Sequence, residues 1–207
     1  MIAIIDYDAG NIRSAEKALQ FLGAETVITR ERETILAADR VVLPGVGAFG
    51  DAMDKLRSYG LEEVIHESVR KGTPFLGICL GLQLLFESSE ESPGVAGLGI
   101  FKGRIVRIPD APGLKIPHIG WNSLRYPNEG TLFCGVAEES YVYFVHSYYA
   151  QPSDASIVKA TTQYGAELVA SVEKDNVFAC QFHPEKSSGT GMQILKNFIS
   201  YENREGR

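Results

Sequence analysis

Cys79 stands between Gly77 and Gly81, where the apolar run Pro74 to Ile78 gives way to Leu82, Leu85 and Phe86 at helical spacing. A strand that turns straight into a helix needs small neighbours, because the turn is tight and the residue at its tip is strained. That is the logic of the nucleophile elbow, with a thiol where the hydrolase motif has Ser. Such a turn would lift the sulfur above the carboxyl edge of a sheet and set it at a helix N-terminus, where partial positive charge favours a thiolate. The other reading is a small core hydrophobe, the common fate of a free cysteine. A base decides between them.

His183 is placed to be that base. His183-Pro184-Glu185 follows the apolar strand Val177 to Phe182, so the imidazole sits at a strand end. If that strand lies beside the Cys79 strand, the two side chains meet and form a thiolate–imidazolium pair that works at neutral pH. Pro184 stops the strand. Glu185 is then close enough to accept a hydrogen bond from the other ring nitrogen and hold the tautomer, as the third member of a triad does. Standing alone, His183 would read as a turn residue and Glu185 as a solvated charge.

Acyl chemistry also needs backbone donors where negative charge develops. The N–H of Leu80, next after the nucleophile, is one candidate. The loop Pro44-Gly45-Val46-Gly47 is the other, and its glycines let the backbone approach a ligand or turn a peptide. The phosphate-cradling patterns GxGxxG and GxxxxGK[ST] are missing there.

These residues need a scaffold of alternating strands and helices. Strands are expected at Ile2 to Ile5, Thr26 to Thr29 and Arg40 to Leu43. A helix is expected from Ile12 to Leu22 with Gly23 as its C-cap, and another from an Asp51 cap to about residue 70. Units of this kind build a parallel sheet with right-handed crossovers. Beyond Glu87 the texture changes. Ser88 to Pro93 reads as a solvated loop. Short strands at Arg104 to Ile108, Tyr141 to Val145, Ser156 to Ala160, Leu168 to Val172 and Val177 to Phe182 have few helices between them. The second half is therefore expected to be antiparallel or mixed and joined onto the parallel half, closed by a helix from Met192 to Tyr201 and a frayed end at Asn203 to Arg207.

The chain of 207 residues suits one domain over 1–207. A net charge of -6 with no basic run argues against a general nucleic-acid or membrane-surface binder. No stretch reaches the roughly 18 apolar residues of a membrane span, and the first residues read as a strand rather than a secretory signal. Three separated cysteines form no disulfide framework and no CxxC metal spacing. A reducing cytoplasm is the expectation.

The chain resembles the class I (triad) glutamine amidotransferases over nearly its whole length. Gly77-Ile78-Cys79-Leu80-Gly81-Leu82-Gln83 and His183-Pro184-Glu185 carry the likeness. Within that family, Pro44 to Phe49, Pro117 to Asn122, Tyr143 to Tyr148 and His183 to Ser187 are similar to the glutaminase subunits of imidazole glycerol phosphate synthases, of histidine biosynthesis. Glutaminase subunits of pyridoxal phosphate, aminobenzoate or anthranilate synthases remain the alternative. The resemblance implies a flavodoxin-like α/β fold: a central, mostly parallel sheet flanked by helices, with an added antiparallel or mixed sheet. It implies a Cys79 thioester, His183 and Glu185 as base and orienter, and an oxyanion hole at Val46, Gly47 and Leu80. By the same likeness, Gln83, Ser147 and Tyr148 hold glutamine. It implies no cofactor and no metal. Its partner would be a separate (β/α)8-barrel cyclase that receives the ammonia. Asn11, Lys186 and Trp121 are the interface candidates, although Trp121 fits a core position nearly as well. The two-glycine loop further suggests that the Val46-Gly47 peptide faces the wrong way until a partner binds.

Overall fold

Alternate residues of the first strand point into two different cores, and this places the strand in the middle of a three-layer fold. In the computed structural model, which describes Met1–Glu202, β1 is Ile2–Ile5. Its Ala3 and Ile5 pack in one apolar layer, and its Ile2 and Ile4 pack in the other. The end expected to fray, Asn203 to Arg207, lies outside the described residues.

The first half runs α1 (Ile12–Phe21), β2 (Thr26–Thr29), α2 (Arg32–Ala37), β3 (Arg40–Leu43), α3 (Phe49–Ser58), α4 (Leu61–Arg70), β4 (Phe75–Ile78) and α5 (Leu80–Leu84). The second half runs β5 (Ser88–Ser89), β6 (Gly103–Arg107), β7 (His118–Ser123), β8 (Tyr141–His146), β9 (Tyr148–Pro152), β10 (Val158–Tyr164), β11 (Ala166–Lys174), β12 (Val177–Cys180) and α6 (Ser188–Ser200).

The strands β2, β1, β3, β4 and β12 lie side by side in that order, all parallel. The sheet continues through β11, β9 and β6 by antiparallel pairing and ends on the short β5, while β10 pairs with β11. The mixed second half is thus an extension of the parallel half, as the sequence suggests. One layer is built on Ile35, Met53, Leu56, Val64 and Ile65 from α2, α3 and α4. The other is built on Leu19 of α1 and Ile194, Leu195 and Phe198 of α6. Outside this sheet, β7 and β8 form a two-stranded antiparallel ribbon with Trp121 opposite Tyr143.

Several expectations need correction. The single helix from Asp51 to about 70 is two, because Gly60 turns the chain left-handed at φ 67° between α3 and α4. Asp51 sits inside the first turn of α3, and the cap position is Ala48. The free N–H groups there are taken by the segment expected to be a solvated loop: Phe49 N–H donates to Glu91 Oε2 at 2.8 Å and Gly50 N–H to Ser92 Oγ at 2.9 Å. Three strands, β5, β7 and β9, and the helix α2 were not expected from the pattern.

Candidate active site

The parallel pairing of β4 with β12 brings the two halves of the sequence signature together. Ile78 lies opposite Cys180, so Cys79 and His183 both emerge from the carboxyl ends of adjacent strands. Cys79 has φ 55° and ψ -109°, a conformation that L-residues rarely adopt and that holds the side chain at the tip of the turn. The turn is possible because its flanking residues lack side chains. A Cβ on Gly81 would overlap the Leu43 carbonyl oxygen, and one on Gly77 would lie 2.9 Å from the Gly81 backbone. The following helix α5 has only five residues, so its dipole is smaller than the sequence suggests.

His183 is buried, and its Nδ1 lies 2.8 Å from Glu185 Oε1. Carboxylate oxygen only accepts, so Nδ1 carries the proton and Nε2 is left for the thiol. Burial pulls the imidazole toward neutrality, but its hydrogen bonding to Cys79 and Glu185 more than offsets this and raises the pKa to about 10. Glu185 Oε1 also accepts from Asn11 Nδ2 at 2.9 Å, from the left-handed residue that opens α1. Asn11, placed at the interface in the sequence reading, therefore supports the Glu185 carboxylate and does not line the cavity in front of Cys79. The neighbouring thiol of Cys180 is held well above its ordinary pKa by complete burial and by the charges of Glu185 and Cys79, so it is kept as the unreactive thiol.

The cavity in front of Cys79 has a volume of about 330 Å³ and is lined by Val46, Gly47, Leu80, Gln83, Ser147 and Tyr148, among others. It therefore gathers every residue expected in the oxyanion and glutamine-binding sets, with Lys186 also on its wall. Two larger grooves, of about 690 and 930 Å³, lie elsewhere, and no histidine lines either. Trp121 is outside the cavity on β7, half exposed rather than in a core.

The loop after β3 is tied to the elbow at its first glycine. Leu80 N–H donates to the Gly45 carbonyl at 3.3 Å. In a planar trans peptide the Val46 N–H points opposite to that carbonyl. The Gly45-Val46 peptide, next to the Val46-Gly47 peptide named from the sequence, thus has its N–H directed away from Leu80. Tyr7, buried at the end of β1, fixes the start of the loop by donating from its hydroxyl to the Pro44 carbonyl at 2.7 Å.

A polar network missed by sequence reading completes the site. Gln83 Nε2 donates to the Tyr148 carbonyl at 3.1 Å and to Gln181 Oε1 at 3.0 Å. His146 Nδ1 lies 2.9 Å from the same carbonyl, and His146 Nε2 lies 3.0 Å from His118 Nδ1. The carbonyl can only accept, so His146 is protonated at Nδ1 and His118 donates from its Nδ1. Burial lowers both histidines to about 4; for His146 the hydrogen bond to the Tyr148 carbonyl opposes this, and repulsion by positive charge on His118 and His183 adds to it. The one available signal was compositional: Gln181 is a lone amide in the run Val177 to Phe182, and His118 lies in the Pro117 to Asn122 segment.

The family model for class-I glutamine amidotransferases matches residues 3–201. The chain belongs to the class-I glutamine amidotransferases. Among relatives of this amidotransferase, the "Imidazole glycerol phosphate synthase subunit HisH" of Methanothermobacter thermautotrophicus is 53% identical over 199 residues, covering 96% of this chain and 98% of that protein. The protein of the same name from Moorella thermoacetica is 51% identical, covering 95% and 93%. The amidotransferase fold also matches solved structures. A glutamine amidotransferase crystal structure superposes with a TM-score of 0.74 at 21% identity, over 96% of this chain and all of that one. The PurLQS structure from Thermotoga maritima gives 0.75 at 22%, over 97% of each chain.

Proposed function

We propose that this amidotransferase is the glutaminase subunit of an imidazole glycerol phosphate synthase, acting in the cytoplasm beside a (β/α)8-barrel cyclase. The observation that carries the reading is the strained Cys79 turn facing a histidine that is itself hydrogen-bonded to Glu185, on a chain about half identical to the HisH subunits. The Cys79 proton passes to His183 Nε2 and the thiolate attacks the carboxamide carbon of glutamine. The tetrahedral intermediate collapses to a glutamyl thioester as His183 returns the proton to departing ammonia. His183 then takes a proton from water, which attacks the thioester and releases glutamate. Both hydrogens of the Gln83 amide are committed to Tyr148 and Gln181, so Gln83 offers a ligand its Oε1, an acceptor suited to the ammonium of an amino acid.

The resting site has one defect: the Leu80 N–H is occupied by the Gly45 carbonyl. A rotation of the Gly45-Val46 peptide frees Leu80 and turns the Val46 N–H inward, giving two donors for the oxyanion. Ammonia released into water is protonated and lost to chemistry, so a gate of this kind keeps turnover waiting for the cyclase and its nucleotide acceptor. Docking falls to the ribbon of β7 and β8, where Ile119, Trp121 and Tyr141 are 60%, 50% and 58% exposed, with Lys186 at the mouth.

The test is glutamate release by the full chain, alone and with a barrel cyclase and its acceptor analogue. The expected result is a rise of about two orders of magnitude on adding both, the usual effect of gaining one oxyanion donor. Equal turnover without the cyclase would remove the gating. A rise only with the synthase subunit of another pathway would reassign the acceptor.

A further inference from the structure

Gln181 is fully buried two residues before His183, and no step of the mechanism above uses it. Its orientation is nevertheless determined. The Tyr148 carbonyl can only accept, so the Gln83 amide must present its NH₂ there. The second hydrogen of that NH₂ goes to the Gln181 side chain at 3.0 Å, which must therefore present its oxygen. The NH₂ of Gln181 is left facing Cys79 Sγ at 3.7 Å. One backbone carbonyl thus fixes two side-chain amides in turn, and the assignment does not depend on telling nitrogen from oxygen directly.

From this we infer that Gln181 is a positioning residue that donates a hydrogen bond to the Cys79 thiolate and favours it over the thiol. The inference rests on Cys79 being the nucleophile. The two protonation states of the sulfur have different partners. A thiol points its hydrogen at the Val145 carbonyl, 3.9 Å away. A thiolate only accepts, and Gln181 and His183 are the donors that meet it, the proton having passed to His183 Nε2. Because Gln181 is closed off from water and its oxygen is tied to Gln83, the donor cannot turn away as the charge forms. Gln83 thereby has two roles, one toward the ligand and one in aiming Gln181.

The test is the pH dependence of Cys79 alkylation by iodoacetamide on the full chain, with the modified cysteine identified by peptide mass. The ionisable groups around the sulfur are His183 and Glu185 beyond β12, Cys180 within it, His146 on β8, Tyr7 after β1, and Glu91 and Lys186 on the cavity wall. All are retained in Gln181→Leu and Gln181→Met. Both variants are expected to move the alkylation midpoint upward by about one pH unit, which is about a tenfold slower reaction at a fixed pH below it. A loss of packing alone would lower the unfolding temperature without moving that midpoint, so an unmoved midpoint in either folded variant overturns the inference. Should neither variant fold, the side-chain amide protons of Gln181 in the unsubstituted chain provide the second measurement by NMR. They are expected to shift downfield with Cys79 ionisation and to lose that response in Cys79→Ala; amide protons that do not follow the titration would also overturn it. Glutamate release is scored separately: its absence beside a competent cyclase counts against the glutaminase reading, while its presence with unmoved midpoints counts against Gln181 alone.

Discussion

The three buried histidines of the site titrate in opposite directions, and this sets the pH range in which the fold is held most tightly. His183 is raised from 6.5 to about 10, so its contribution is complete below pH 6.5 and is lost as pH rises through 10. His118 and His146 are lowered to about 4, so theirs is complete above pH 6.5 and is lost as pH falls toward 4. Stability should therefore peak near neutrality and fall on both sides, by on the order of 3–5 kcal/mol for each histidine. Urea unfolding followed from pH 4 to 10 measures this. Cys79→Ala should flatten the alkaline side only, because the sulfur is one of the two groups that raise His183. His118→Phe, which keeps a ring between Phe144 and Tyr164, should flatten the acid side only. A pH profile with the same shape in all three proteins would show that these histidines do not control it. The grouping of Cys79, His183 and Glu185 was legible from residue types and spacing. The orienting network was not, since Gln181, His118 and Asn11 acquire their roles only from which strands and loops become neighbours.

At the scale of elements, what the sequence revealed depended on how far each element obeys a simple period. The parallel strands β1 and β3 match the expected bounds because both of their faces are covered and they read as apolar runs between turn residues, and the half-buried edge strand β2 matches because its four residues, Thr26 to Thr29, are all β-branched. β7 escaped notice because its residues, His118 to Ser123, serve a half-open ribbon beside the site and include a glycine, a tryptophan and an asparagine. The helix α3 appeared continuous with α4 because Gly60 interrupts the chain without disturbing the apolar spacing on either side. Glycine matters most at the elbow. At Gly81 the helix start is pressed against the Leu43 carbonyl of β3, so β3, β4 and α5 can be assembled only with hydrogen at that position. Gly81→Ala should cost about 3 kcal/mol or more, the range of overpacked sites with no room to relax, and should slow Cys79 alkylation at neutral pH to the rate of an ordinary exposed thiol. A folded Gly81→Ala protein with an unchanged urea midpoint would mean that the turn is looser than its contacts imply.

For the whole molecule, the arrangement of the ribbon explains how a partner could act on chemistry it does not touch. β8 presents Trp121's neighbour Tyr143 on its outer side and carries the Val145 carbonyl and His146 to the cavity. The same short sheet is thus both the exposed apolar surface and one wall of the site. Trp121 packs edge-on against Tyr143 with ring centroids 6.0 Å apart, so its ring is held in a fixed direction although half of its surface faces solvent. A rigid, half-exposed aromatic of this kind gains most of its burial on docking. Trp121→Ala should therefore weaken association with the proposed cyclase partner by about 2 kcal/mol, roughly 30-fold in Kd. The stability of the free chain should change by less than about 1 kcal/mol, because little of the ring's burial is lost. Titration calorimetry of the pair and urea unfolding of the free chain read the two quantities separately. An unchanged Kd would move the interface away from the ribbon, and with it the argument that docking reaches Cys79 through β8.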